Sequence, residues 1–383
     1  MTDKLQFRSV RLPEEAQALR REVRDFLVRT REEGVYKPGG NSWATFNAAF
    51  SRRCGEAGYL GMTWPVEVGG HGRSTLERYV MVEEMLAAGA PVGAHWVADR
   101  QSGPQILRHG SPRARREILP GIAAGTCFFA IGMSEPDAGS DLAAVRTRAV
   151  RAAGGWRVTG TKIWTTFAHH AHYVIVLART APAGDVRQSG LTQFVCDLGK
   201  PGVEVRPIVN LAGTHEFNEV ILNDYFVEDD FVVGSVGEGW SMVTAELAFE
   251  RSGPDRFLSA YPLLERAVEH IREGRPDDRA AEAIGGLVAR LATLRHMSTS
   301  VAGMLQGGEN PMLQAAIVKD LGTALEQDTP EVLRPILDVA PSLDDGPLAR
   351  ELAHTILHAP SFSIRGGTRE ILRGIIARGA GLR

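Results

Sequence analysis

Apolar positions along the chain fall into three regimes. From Pro13 to about Ala124 they recur at three- and four-residue spacing, as in Leu19, Val23, Phe26 and Leu27 with charges between them, which predicts amphipathic helices. Met81 to Leu86 and Pro104 to Leu119 predict further helices, set apart by Gly/Pro punctuation at Ser102 to Pro104 and in WPVEVGGHG. Between Cys127 and about Val233 the pattern changes to short runs rich in Val, Ile and aromatics, among them TRAVRAA, GWRVTGTKIW, HYVIVLART, LTQFVCDL and GVEVRPI, which predict successive strands. The strands do not alternate with long helical patterns, so an antiparallel barrel or sandwich is expected rather than a parallel dinucleotide-binding sheet. From Glu238 onward WSMVTAELAFER, YPLLERAVEHIR and AEAIGGLVARLATLRHM are again helical in period, with REGRPDDRA and PSLDDGP as connections. The expected organisation is α+β: an N-terminal helical domain over residues 1–126, a central β domain over 127–234 and a C-terminal helical bundle over 235–383.

Composition narrows the partners. A net charge of −3 over 383 residues gives no electrostatic case for nucleic acid or an anionic membrane. Cys54, Cys127 and Cys196 are too few and too irregularly spaced for a disulfide framework or a zinc site, and they fit a reducing compartment. The polar, charged N-terminus lacks the apolar stretch of a signal peptide, and no window approaches the roughly 18 apolar residues of a spanning helix. A cytoplasmic chain with no membrane partner is expected.

Two segments carry candidate chemistry. FFAIGMSEPDAGSDLAAV, at the start of the β region, runs a strand end into a loop of small residues. Ser134, Gly139 and Ser140 there would let backbone N–H groups and hydroxyls approach a pyrophosphate or a flavin edge. Alone, the loop also reads as a polar inter-strand turn. In GTKIWTTFAHH, Trp164 and Thr166 lie on one face if the segment is a strand. An indole beside a hydroxyl suits a planar heterocycle with acceptor nitrogens, although core packing accounts for the segment equally well.

Together the two segments are far more specific. SEPDAGSD, followed about 20 residues later by G-x-K-x-W-x-T, resembles the acyl-CoA dehydrogenase family. GMTWPVEVGGHG, GEGW and GGTREILRGIIARGAGL extend the resemblance over essentially the whole chain. The resemblance implies an FAD site lined by Ile131 to Ser140, including Ile131, Met133 and Gly139, with Ser134 at the pyrimidine edge and Ser140 at the pyrophosphate. It implies that Trp164, with Thr165 as a further cofactor position, packs against the isoalloxazine, and that Thr166 donates its hydroxyl near flavin N5. Thr368 and Glu370 are implied cofactor contacts, and Ser140 and Arg251 are family positions that also meet the acyl-CoA.

The implied reaction removes an α-proton while the β-hydride passes to flavin N5, giving the trans-2-enoyl thioester. Most members of the family carry the catalytic glutamate immediately before the C-terminal Gly-Thr, where this chain has Gly366. A minority, including isovaleryl- and long-chain acyl-CoA dehydrogenases, carry it on an earlier helix that resembles TAELAFERSGPDRF, and the matching position is Glu250. Glu246 lies one turn before Glu250, and like charges at that spacing disfavour double ionisation. An apolar substrate pocket would also raise the carboxyl pKa towards working pH. Ser252-Gly253-Pro254 is expected to break the helix just beyond. The alternative for Glu250 is a surface glutamate paired with a nearby arginine. The Gly366 backbone N–H remains available as an oxyanion donor.

Two family segments, Arg-x-x-Phe-Gly and Gln-x-x-Gly-Gly, which contact the FAD of a neighbouring subunit, have no recognisable counterpart here. Substitute residues or a different partner subunit would supply those contacts. The implied partners are an acyl-CoA or acyl-carrier substrate, an electron-transfer flavoprotein as acceptor, and either further copies of the chain (dimer or tetramer) or a homologous subunit. The carrier-bound substrate and a non-catalytic subunit of a heteromer stand as alternatives. His169, His170 and His172 lack carboxylates or thiolates at matching spacing, so a loop beside the cofactor domain is expected and no metal. Trp96, Asp99 and Arg100 fall where the family lines the acyl pocket; they read either as a surface Asp–Arg pair or as lining for a polar, branched or ring-bearing acyl group. Apart from the family, Lys162 and Arg179 read as solvated strand charges.

Overall fold

The structure, a computed structural model, describes residues 5–243, 251–274 and 277–382. The chain begins with helices α1 (Glu14–Glu32), α2 (Ala48–Glu56), α3 (Thr75–Ala87), α4 (Gly93–Val97), α5 (Gly103–His109) and α6 (Pro112–Ala123). Eight strands follow: β1 (Phe129–Gly132), β2 (Arg148–Ala152), β3 (Gly155–Lys162), β4 (Tyr173–Arg179), β5 (Leu191–Asp197), β6 (Val203–Val209), β7 (His215–Glu228) and β8 (Val232–Val233). Helix resumes at residues 239–243. It continues in α7 (Tyr261–Glu273), α8 (Asp278–Gln306), α9 (Met312–Leu333), α10 (Pro347–Phe362) and α11 (Arg369–Gly379). The order helices, strands, helices is the one the apolar pattern predicts. Among the described residues no helix is long and apolar enough to cross a membrane.

By contacts the chain forms two units. One comprises Met1–Thr45, Ser74–Val92 and Leu247–Arg383; the other comprises Phe46–Arg73 and Gly93–Glu246. In the first, α1 buries Ala16, Leu19, Val23, Phe26 and Leu27, the three- and four-residue spacing read from the sequence. A capping box in which Ser74 and Glu77 exchange hydrogen bonds starts α3 and satisfies two otherwise unpaired donors. The carboxylates of Glu83 and Glu84 on α3 are buried and take Arg20, Arg24 and Arg295, so the charged residues of this bundle meet as pairs.

The second unit is built on the sheet, ordered β6-β7-β3-β2-β4-β5-β8, with β1 added alongside β4. Most pairings are antiparallel, as expected, but β1 and a single pair from β2 run parallel to β4. The middle of β4, Val174 to Ala178, is wholly buried, and Ile118, Leu119 and Ile122 of α6 join the same core. β6 is an edge strand and carries Pro207, a residue that cannot donate to a ladder on both sides. A bulge occurs in β3 between Val158 and Gly160. Gly160 has no room for a side chain: a Cβ would stand 2.3 Å from Thr147 Oγ1.

Three local expectations are corrected. The segment Pro104 to Leu119 is not one helix, because α5 ends at His109 and Ser111 caps a new helix at Pro112. β3 ends at Lys162, so Trp164 and Thr166 do not share a strand face; they sit in a turn. Asp99 and Arg100 are not a surface pair. Both are buried in a π-helical stretch, Ala98–Ser102, where Asp99 Oδ1 accepts from Gly61 N (2.7 Å) and Arg100 lies over the Trp96 ring.

Candidate functional site

The candidate residues lie on both units. In the β unit, β1 brings Ile131 to the edge of the core opposite Ile175, and Met133 packs behind the loop that follows. Glu135 N and Ala138 N each donate to the other residue's carbonyl, which folds Glu135 to Ala138 into a tight turn. The Glu135 carboxylate points inward and accepts from Arg146 N (2.6 Å), Thr147 N (2.9 Å) and Lys162 Nζ (2.7 Å). Lys162 Nζ also donates to Met133 O (3.2 Å). Burial pushes the Lys162 ammonium down to about 8 against the pull of Glu135. Burial acts to raise the Glu135 carboxyl, but Lys162 and the hydrogen bonds from the Arg146–Thr147 segment outweigh it and hold the group below its ordinary value. Lys162 is therefore not a solvated strand charge; it is fully buried and anchors the start of the loop, while Glu135 ties that start to Arg146 and Thr147. Arg179 is likewise engaged, donating to Ala143 O (2.9 Å) and Ser189 O (3.0 Å). Above this anchor Ser134 is half-buried, Gly139 and Ser140 are exposed, and a Cβ on Gly139 would meet open space.

The second motif follows β3. Ile163 N donates to Ser134 O (3.0 Å), so the two segments singled out in the sequence touch directly. Trp164 and Phe167 both have left-handed backbone, at φ 58° and 53°. Trp164 is 56% exposed, with Phe217 edge-on at 5.9 Å, while Thr165 is buried and Thr166 half-buried. The uncovered indole follows directly on Ile163, the residue bonded to the loop that carries the exposed Gly139 and Ser140. That arrangement fits a flat apolar ligand with a polar tail.

The histidines of the following turn form a layered cluster. His169 stacks on His215 with centroids 3.8 Å apart, and His170 stacks on Phe46 at 4.3 Å. His172 Nδ1 accepts instead from Phe128 N (3.0 Å). Burial, then the neighbouring rings, push His169 down to about 4. Among the described residues no group of three or more His, Cys, Asp or Glu is arranged to hold a metal.

In the helical unit, Glu250 and Glu246 lie outside the described residues. Their neighbour Arg251 is described and buried, and residues 251–253 form a turn and bend before a short 3-10 segment, Pro254–Arg256, as the Ser-Gly-Pro sequence predicts. Arg251 Nε donates to Gly366 O (3.1 Å), and the fully buried Lys319 donates through Nζ to Gly367 O (2.9 Å). Gly366 and Gly367 have φ of 65° and 95°, a left-handed pair that glycine adopts without strain. Arg365, just before them, lies between the Trp43 and Phe362 rings at 4.5 and 4.6 Å and donates to Ser259 Oγ and Glu326 Oε2, each at 2.8 Å. Thr368 occupies the N-cap of α11, and the exposed Glu370 is held below its ordinary value by its own backbone N–H and the Thr368 hydroxyl. Glu135, Asn218 and Lys319 are site-supporting residues that sequence reasoning misses. Glu135 could have been found from its place inside SEPDAGSD; the other two carry no comparable signal.

Known proteins resemble this arrangement. The acyl-CoA dehydrogenase N-terminal domain matches residues 13–126, and the acyl-CoA dehydrogenase middle domain matches residues 130–225. Acyl-CoA dehydrogenase IpdE1 of Mycobacterium tuberculosis is 35% identical over 341 residues, covering 86% of each chain. Acyl-CoA dehydrogenase FadE34 of the same organism is 32% identical over 322 residues, 84% of this chain, which spans only 44% of that longer protein. Among solved structures, a chain of the ChsE4–ChsE5 complex from Mycobacterium tuberculosis superposes with a TM-score of 0.85 at 27% identity, covering 98% of this chain and 99% of the other.

Proposed function

The chain belongs to the acyl-CoA dehydrogenase family, a family of flavin-dependent oxidoreductases, and from that premise we propose that it binds FAD and converts an acyl-CoA thioester to the trans-2-enoyl-CoA. The observation that carries this is the Ile163 N to Ser134 O hydrogen bond, which draws the two motif loops together while leaving Trp164 uncovered. Ile131, Met133, Ser134, Trp164, Thr165 and Thr166 would hold the ring system, and Gly139 and Ser140 the pyrophosphate, with Thr368 and Glu370 as further contacts. FAD supplies the hydride acceptor.

The remaining tasks fall to the chain itself. Glu250 takes the α-proton, a general-base role commonly worth about 10²–10⁴ in rate. The Gly366 N–H donates to the thioester oxygen as negative charge builds there, and one such preorganised donor contributes roughly 10²–10³. Arg251 and Lys319, by tying the two glycine carbonyls, limit rotation of that turn. Arg251 and Ser140 are the proposed contacts to the rest of the acyl-CoA.

Buried Asp99 and Arg100 in the π-helical stretch favour a polar or ring-bearing acyl group over a straight alkyl chain. The missing Arg-x-x-Phe-Gly and Gln-x-x-Gly-Gly segments favour completion of the cofactor site by a homologous subunit over a dimer or tetramer of this chain alone, in line with the two-component complex among its structural neighbours. The proposed electron acceptor is an electron-transfer flavoprotein, in the cytoplasm.

The test is the visible spectrum, after saturation with FAD, of the chain purified together with any homologous subunit that copurifies with it. A bound-flavin spectrum bleached anaerobically by members of an acyl-CoA panel is expected. A flavin that ignores every acyl-CoA but bleaches with an acyl-carrier-protein thioester would move the activity to carrier-bound substrates. A colourless, inert chain would make it a non-catalytic subunit.

A further inference from the structure

Beneath the Trp164–Phe167 turn lies a side chain to which neither the motifs nor the proposed chemistry gives a role. Asn218, on β7, is fully buried, and its amide works at both ends. Nδ2 donates to Thr165 O (3.0 Å), and Oδ1 lies 3.1 Å from His169 Nδ1 and 2.7 Å from His215 Nε2. Elimination fixes the roles. Thr165 O can only accept, so the amide group facing it is the NH2; Oδ1 can only accept, so both ring nitrogens carry protons. A flipped amide would set oxygen against oxygen at Thr165, and that repulsion excludes it.

The main chain adds to the same junction. Thr165 N donates to Asn218 O (3.0 Å), and Phe167 N to Glu216 O (2.9 Å). β7 directs the carbonyls of Asn218 and Glu216 towards this turn and away from β6, where the residue opposite Asn218, Pro207, has no N–H to donate. The turn so held carries two non-glycine residues at positive φ, Trp164 and Phe167. Such conformations persist only where the surroundings over-determine them.

We propose that Asn218 is a positioning residue for the flavin-facing turn: its amide, oriented by the stacked His169 and His215, holds Thr165 and thereby sets the attitude of the Trp164 indole and the Thr166 hydroxyl. The proposal rests on the reading that this turn faces FAD. Asn218→Leu keeps the branched shape and removes every polar contact of the side chain, leaving the main-chain bond from Thr165 N. Asn218→Asp still accepts from both imidazoles but presents an oxygen to Thr165 O. His215→Phe keeps a ring on an exposed position and removes one N–H.

Amide hydrogen exchange of the peptide spanning 163–168, measured by mass spectrometry without ligand, reads the turn directly. FAD affinity and the visible circular dichroism of bound FAD read its consequence. Exchange about 10-fold faster or more is expected for Asn218→Leu and Asn218→Asp, and a smaller rise for His215→Phe, with β2, β4 and β5 unchanged. Weaker FAD binding and an altered flavin signal should accompany it. Exchange at 163–168 that stays at the wild-type rate in all variants, or rises equally across the whole sheet, overturns the positioning role. If Asn218→Leu does not fold, Asn218→Asp and the exposed His215→Phe still decide the matter. A wild-type chain that takes up no FAD, either alone or with a copurified homologous subunit, overturns the flavin reading instead, and the exchange result then stands on its own for the turn.

Discussion

Removing the ammonium of Lys162 leaves the Glu135 carboxylate buried with two backbone N–H donors and no counter-charge. Breaking one side of a buried pair costs about 3–5 kcal/mol, so Lys162→Met should lower stability to urea by that amount. A double variant that also replaces Glu135 with Leu should not recover, because Arg146 N and Thr147 N would lose their acceptor. A change within about 0.5 kcal/mol in Lys162→Met would refute the anchoring role. At this scale the sequence is legible where a motif names residues and opaque where burial decides their chemistry. Ser134, Trp164 and Thr166 stand out as residue types. Lys162 reads as a solvated charge, and Asp99 and Arg100 as a surface pair, because nothing in the local pattern says that Glu135 or Gly61 N–H lies beneath them.

The turn at Gly366 and Gly367 is the element in which backbone shape and proposed chemistry meet most closely. A Cβ on Gly367 would adopt φ 95° and stand 3.1 Å from Arg251 Nη2, the far end of a flexible side chain. The side chain can yield and the backbone cannot, so strain in the main chain dominates, and Gly367→Ala should destabilise the chain by about 1–2 kcal/mol. Its thermal midpoint should fall, and amides near residues 364–370 should exchange faster. An unchanged midpoint and unchanged exchange would contradict the account of the turn. Periodicity finds α1, α3, α7, α8 and five of the strands, but singles out neither α9 nor α10. It does not find β7, the longest, because its inward positions include Glu216 and Asn218, which blunt the alternation of apolar and polar residues. The π-helical stretch after α4 and the new start at Pro112 after α5 are equally invisible, since both depend on tertiary contacts and a cap rather than on period.

At the level of the molecule, the chain follows the family plan in its order of helices, strands and helices. The net charge of −3 and the three free cysteines bear on compartment and partners, not on catalysis. Gly366 has no side chain to take a proton, and the central claim of the proposed function is that Glu250 removes the α-proton. Anaerobic stopped-flow reduction of bound FAD by an acyl-CoA that bleaches the wild type, compared between wild type and Glu250→Gln, tests it most directly. Reduction slowed about 10²–10⁴-fold with acyl-CoA affinity nearly unchanged is the expected result. A Glu250→Gln flavin that bleaches at the wild-type rate would contradict the claim and place the base elsewhere.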